Sequence, residues 1–326
     1  MNTATFVKHP VRLVERYAPA LLLGAAVIIY VAIALSLGLT RFLTPDAAVG
    51  ILNRSIALGI TAVGQTFAIL VGSIDLSVAH LISASAVVSS AIMNGDPAMM
   101  LPAVLAVLVM GALVGTLNGV LITRLEVNPL IATLGMALII QGCLASFHGR
   151  FGGSVPDAFQ YFAYGEVLGL PVSLIVLALL ILGAWILLRF TRFGSNIYSV
   201  GGNRDTARAA GIKTTRVVMA SHIVCSLCAS LAGLYLASRL KSGTPWIGTE
   251  GAYDLESIAV VVIGGTILSG GKGGIWGTVA GVIIFSLIDS IFNLAGIDAF
   301  AKQVMRGVII VAAVAFYAVR SKRIVG

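Results

Sequence analysis

Residues 173–188 read SLIVLALLILGAWILL, a run with no charge and none of the apolar–polar alternation of a half-buried strand. Strands of a membrane barrel alternate over about ten residues, so this run is helical. A helix needs about 20 mainly apolar residues to cross a hydrocarbon core of roughly 30 Å, and the run sits within such a segment, 168–189. Further segments of the same kind lie at 18–39, 48–72, 76–93, 98–122, 128–147, 216–237, 254–269, 274–294 and 303–319. Together they predict an all-α polytopic membrane protein with about ten transmembrane helices. The shortest breaks, 72–76 and 269–274, hold Gly, Ser and a charge rather than a loop.

Bulk composition agrees. Of 326 residues, 58% are hydrophobic and 10% charged, against about 25% charged in a soluble domain. The mean hydropathy is +1.02. A net charge of +8 would suggest nucleic acid in a soluble protein, but here the basic residues sit between apolar runs, so no nucleic-acid partner is expected. Cys143, Cys225 and Cys228 lie in apolar surroundings, and the CxxC pair falls inside a hydrophobic run, which argues against redox work. The first apolar run is longer than a signal-peptide core and lacks a small-x-small cleavage site, so it reads as the first anchor.

An even number of spans puts both termini on one side. With the N-terminus inside, 14 of the 21 Lys and Arg fall on inside segments, as the positive-inside rule requires. The segment 149–166 is aromatic and almost uncharged, which suits an external loop. The expected organisation is a cytoplasmic segment 1–17, a membrane domain 18–320 and a cytoplasmic tail 321–326. The largest inside segment, 190–215, reads FTRFGSNIYSVGGNRDTARAAGIKTT. Asn203 is a ready N-cap, Asp205 sits in the first turn where a negative charge suits the helix dipole, and Gly211 supplies a stop. A short helix over about 204–210 follows. It is either a plain connector or a rigid knob that docks into another protein's cleft.

Three segments taken together are far more specific than any one: VGQTFAILVGSIDLSVA at 63–79, the 191–212 loop with TRFG, VGGN and ARAAGI, and GAYDLESIAVVVIGGTILSGGKGGIWGT at 251–278. With these, the chain resembles, from about residue 45 to 320, the permease subunits of bacterial ABC importers for ribose, galactose and related monosaccharides, in the branched-chain-amino-acid/sugar permease family. The resemblance implies a vitamin-B12-importer-like (type II) fold in the bacterial inner membrane, working as a homo- or heterodimer. It also implies a periplasmic sugar-binding protein as donor, and two cytoplasmic ATPase subunits that hold the ATP and Mg, with no cofactor in this chain. Thr191, Arg192, Phe193, Gly194, Gly201, Gly202, Asn203, Ala207 and Gly211 match the family's loop pattern, so the 190–215 segment looks like the ATPase-coupling loop. One departure is Ala79, followed by His80, where the family usually has Gly.

The residues themselves add chemistry. Asp75 is an ionisable group in a nearly continuous apolar stretch, which is expensive unless partnered. Ser73, Asp75 and Ser77 either satisfy backbone groups where two half-spans meet or form a tight inside turn in which Asp75 caps the next helix. The cluster GGTILSGGKGG at 264–274 is not a phosphate loop: Lys272 is followed by Gly273, and the position five before Gly271 is Thr266. Its glycines suit close helix approach and a sharp turn.

Candidates for a sugar path are Gln65, Thr66, Asn118, Thr133, Gln141, Ser226 and Asn293. Little charge lies deep in the spans, which favours a neutral cargo. Asp289 is expected to pair with Lys302 or Arg306. Asp254 and Glu256 are either groups that meet a binding protein's basic rim or a solvated helix start. His9, His80, His148 and His222 show no metal-ligand spacing, so no metal is expected. No Ser/His, HExxH or paired-carboxylate arrangement of an enzyme is visible. The alternative function is a secondary sugar carrier or facilitator working without an ATPase, which would need intramembrane ion or proton sites.

Overall fold

The structure, a computed structural model, describes residues 10–146, 153–298, 300–309 and 311–312. The outermost parts of both terminal segments, the first part of the external loop and the distal part of the 303–319 segment lie outside the described residues. Every long element is helical. Among the described residues, seven helices are long and apolar enough to cross a membrane: α1 (Pro10–Ser36), α2 (Pro45–Leu70), α4 (Met100–Thr123), α5 (Pro129–Ser146), α7 (Val172–Phe190), α10 (Thr214–Leu240) and α13 (Ile275–Leu294). Shorter helices are α3 (Val78–Met93), α6 (Asp157–Tyr164), α8 (Arg192–Gly202), α9 (Arg204–Ala209), α11 (Ile247–Glu250) and α12 (Tyr253–Ile263). Residues 300–309 are helical as well.

The segment read as a span over 254–269 is a helix of only 11 residues. At 1.5 Å per residue it rises about 16 Å, half of a hydrocarbon core. Gly264 and Gly265 end it, and 264–274 continues as a turn. The 168–189 segment starts late for a different reason. Glu166–Val167 (β1) and Leu170–Pro171 (β2) pair in a small antiparallel hairpin first.

Helix α10 is the centre of the molecule, packed on α2, α3 and α4. Gly111, Gly115 and Gly119 recur every fourth residue of α4, and α10 lies where their side chains would stand: the Ser230 hydroxyl at Gly111, and backbone at His222–Ile223 and at Met219 for the other two. Small residues at this spacing let two helices approach closely in lipid, where dispersion replaces the hydrophobic effect. Helix α2 is shared with a second apolar layer made by α1, α12 and α13. The external segment folds onto the end of α10. There Ser238 Oγ accepts from Ala163 N at 3.1 Å and donates to the Phe159 carbonyl at 2.9 Å.

Candidate functional site

The three motif segments converge. The Gly271 amide donates to the Leu70 carbonyl at 2.9 Å, and Gly201 lies against the same carbonyl so closely that a Cβ there would overlap it. The end of α2, the end of α8 and the 264–274 turn therefore meet at one point. Tyr198 ties the last two together, donating to the Gly273 carbonyl at 3.0 Å. Burial raises the Tyr198 phenol above its usual range, outweighing nearby Arg189, so the proton needed for that bond is retained.

The stretch 192–202, read from sequence as loop, is a helix. Thr191 caps it, its Oγ1 accepting from Gly194 N at 3.2 Å and donating to the Leu187 carbonyl at 2.6 Å. Gly194, Gly201, Gly202, Ser195 and Asn196 give it poor intrinsic propensity. Its buried face, Ile197 and Val200, supplies what local preference lacks. Phe193 stacks on Phe67 at 6.4 Å between centroids.

Helix α9 follows as the sequence implies. Asn203 Oδ1 accepts from Thr206 N at 2.8 Å, and Gly211 takes φ +82°, the left-handed stop that suits glycine. Ala207 is buried, while Asp205, Thr206, Arg208 and Ala209 are exposed. Arg192 and Gly202 are exposed at the two ends of α8. A groove of about 550 Å³ between α8 and the start of α10 runs beside α9, edged by Lys213 and Arg216.

Next to this junction α2 ends in a Schellman cap: Ser73 N donates to the Ala68 carbonyl at 3.0 Å and Gly72 N to the Ile69 carbonyl at 2.9 Å. Residues 73–77 then run without helix into the packed interior, and Ser73, Asp75 and Ser77 are all buried. Asp75 does not cap α3 in the usual way. Its Oδ1 accepts from Ser77 N at 2.9 Å and from Ser77 Oγ at 2.5 Å, bracing the residue before the helix. Its Oδ2 faces His222 Nδ1 at 3.3 Å, and His222 Nε2 is 2.8 Å from Ser73 Oγ.

Asn118 Nδ2 donates to Ser77 Oγ at 3.0 Å and reaches Asp75 at 3.3 Å. Thr133 Oγ1 accepts from Leu76 N at 3.1 Å. So Asn118 and Thr133, expected on a sugar path, hold the 73–77 segment inside the protein. The sequence reading saw no Ser/His arrangement, yet tertiary packing makes one from Ser73, His222 and Asp75. All three side chains are buried, Ser73 at 4% exposure and the other two fully. The available signal was His222 itself, a polar ring inside an apolar helix.

The other candidates are scattered. Gln65 Oε1 accepts from Cys225 Sγ at 3.3 Å. Thr66 Oγ1 lies 2.7 Å from Thr278 Oγ1, joining α2 to α13. Ser226 is fully buried on α10, and Gln141 is half-buried on α5. Asn293 is exposed, donates to Asp289 and accepts from Lys302 Nζ at 2.6 Å.

Asp289 takes Arg306 as its ion-pair partner, at 2.5 Å, and Arg306 also meets Glu256 at 2.9 Å. The two sequence readings of Glu256 therefore need correction. Packing against α2 and α13 buries it, so it is neither solvated nor free to meet another protein, whereas Asp254 stays half-exposed. Ala79 is fully buried, and Gly248 packs on its carbonyl with no room for a side chain at 248.

Comparison with known proteins fits this arrangement. The family model described as branched-chain amino acid transport system, permease component, matches residues 47–314. The ribose import permease protein of Escherichia coli strain K12 is 36% identical over 89% of this chain and 90% of its own length. That of Bacillus subtilis strain 168 is 37% identical over 84% of this chain and 85% of its own. The L-arabinose transport system permease protein of E. coli K12 is 35% identical over 82% of this chain and 81% of its own. No solved structure matches the chain. The breadth of the family match and of these relatives settles membership: the chain belongs to the family of branched-chain amino acid transport system permease components, and is a transport subunit rather than an enzyme.

Proposed function

We propose that this protein is the membrane-spanning permease of an ATP-driven ABC importer that carries a monosaccharide or related polyol into the cytoplasm. Its relatives are named for ribose, L-arabinose and D-allose. In this reading the sugar arrives on a periplasmic binding protein, and a cytoplasmic ATPase pair supplies the power with its own ATP and Mg. The permease pairs with a second permease subunit in the inner membrane, with about ten spans in the type II arrangement and both termini inside. Thr191, Arg192, Phe193, Gly194, Gly201, Gly202, Asn203, Ala207 and Gly211 build the coupling element: α8 is the base and the exposed α9 is the part that docks.

The observation that carries the reading is the junction itself. A force on α9 passes through Asn203 and Gly201 to the Leu70 carbonyl, and so to α2 and the buried 73–77 segment. The test is reconstitution of the permease with its ATPase and binding protein in liposomes. Sugar uptake should require both ATP and the binding protein, and a Gly-Ser replacement of 204–210 should separate hydrolysis from uptake. Uptake by the isolated chain under an ion gradient would instead establish the secondary-carrier reading, for which the buried His222–Asp75 pair is the relevant feature.

A further inference from the structure

The stretch 241–252, between the end of α10 and the start of α12, runs down into the helix bundle. Gly243 packs on Ala86, Val87 and Ser90 of α3, whereas Gly248 packs on Ala79 and its amide donates to Ser83 Oγ at 3.0 Å. Between 243 and 248 the chain therefore descends α3 by about seven helical positions, or roughly 10 Å. Helix α12 carries the descent on from Tyr253 to Gly264, which lies against Gly277 and Thr278 in the first turn of α13. Together the two halves make one broken span.

His80, Glu250 and Asp254 gather at the break. His80 stands in the first turn of α3, about 20 Å along that helix from its end at Met93. Asp254 stands about 15 Å along α12 from Gly264. The two lengths together slightly exceed the roughly 30 Å of a hydrocarbon core, as tilted helices do, so both residues lie near mid-membrane. Helices α11 and α12 both pack on α3, and Asp254 is close enough to His80 to act on its charge. Glu250 is nevertheless exposed, and His80 and Asp254 are half-exposed. A ligand can reach all three.

We infer that this break lines a water-filled passage for the sugar, with His80, Glu250 and Asp254 as the groups that its hydroxyls meet on the way. The inference rests on the importer reading above and gives its cargo a route. Two constraints exclude lipid as the cover: accessible ionisable side chains at this depth face water or protein, and irregular backbone there is tolerated only inside protein or beside water. A dry two-fold contact centred here would press carboxylates on their own duplicates, a like-charge arrangement that costs association. Water is the remaining cover.

The chemistry suits a neutral polyol. Carboxylates accept from sugar hydroxyls, and an imidazole donates or accepts, while two acidic groups repel an anionic sugar. Drive reaches the same place, because the 73–77 segment next to the glycine junction leads directly into the turn of α3 that holds His80.

The test uses the whole importer in proteoliposomes, in a Cys143→Ser background that removes the exposed native thiol. Single variants His80→Cys, Glu250→Cys and Asp254→Cys are treated with a positively charged, membrane-impermeant methanethiosulfonate. Leu138→Cys, on an exposed apolar face midway along α5, serves as the lipid-facing control. ATP-driven uptake of radiolabelled D-ribose, L-arabinose and D-allose is measured before and after treatment. The expected result is labelling at all three positions and not at Leu138→Cys, a fall in uptake of at least fivefold after labelling, and labelling slowed at least threefold while the importer is turning over its sugar.

Labelling no faster than at Leu138→Cys would mean a dry interface and overturn the passage. Labelling that leaves uptake unchanged and is not slowed by sugar overturns it too, since the break is then a hydrated crevice away from the route. Glu250→Cys replaces an exposed side chain and decides the matter even if His80→Cys fails to assemble. Uptake of none of the three sugars before treatment removes the importer reading and the sugar route with it, a failure told apart from a dry interface because the cysteines still label.

Discussion

His222 and Asp75 are 147 residues apart in sequence, yet the ring Nδ1 stands 3.3 Å from the carboxylate Oδ2, with both side chains fully shielded from solvent. Asp75 sits in the only non-helical stretch of the α2–α3 connection, and His222 in the middle helix of the bundle. The pair therefore fixes an irregular piece of backbone next to the glycine junction. Removing one partner of a buried pair leaves the other charge uncompensated, at a cost of about 3–5 kcal/mol. His222→Ala should lower the melting temperature in detergent sharply. Adding Asp75→Asn to it should recover part of the loss, a coupling read from a double-mutant cycle.

Arg306 bridges two carboxylates, Glu256 and Asp289, on different helices. Arg306→Met should destabilise more than Asp289→Asn, because it strands two acidic groups rather than loosening one of two pairs. Combining Arg306→Met with Glu256→Gln and Asp289→Asn should restore much of the stability. Thermal unfolding of the variants measures the order.

At the junction, Gly201→Ala puts a methyl group onto the Leu70 carbonyl and the Gly271 amide. Backbone on two sides must shift, so ATP-driven uptake should fall more than tenfold, a limit that reflects the steep cost of overpacking. Gly211→Ala forces a β-carbon into a left-handed conformation, costing about 1–2 kcal/mol. Its effect should appear as hydrolysis uncoupled from uptake.

Orientation is open to labelling because the native cysteines are unequal. Cys143 is exposed, while Cys225 and Cys228 are buried. In a Cys143→Ser background, a single cysteine replacing the exposed Asp205 should react with a membrane-impermeant maleimide only after cells are opened. Labelling in intact cells would put α9 on the external side and end the coupling proposal.

The hydroxyls of Thr66 and Thr278 lie 2.7 Å apart between α2 and α13, and Thr66 also donates to the Ala62 carbonyl. Either single Val replacement should cost about 1 kcal/mol, and the double replacement less than the sum, since both polar groups leave together. Chemical denaturation in mixed micelles provides the comparison.

The amino-acid order by itself determined the lipid-embedded all-helical class, the capped α9 with its glycine stop, and the turn over 264–274. Each of these depends on residues within a few positions of one another: an apolar run, an Asn at a helix start, a Gly with positive φ. Asp289 and its basic partner were also within reach, since two candidates faced it across one short connection. What the sequence left undecided, and only tertiary structure settled, was which polar groups meet across helices. Helix α8 has glycines that local propensity counts against it, and it exists because Ile197 and Val200 have a core to enter. Asn118 and His222 close around Asp75 because the Gly111–Gly115–Gly119 stripe draws α4 onto α10. A glycine stripe advertises close approach, but the partner it admits is chosen by the packing of the whole bundle.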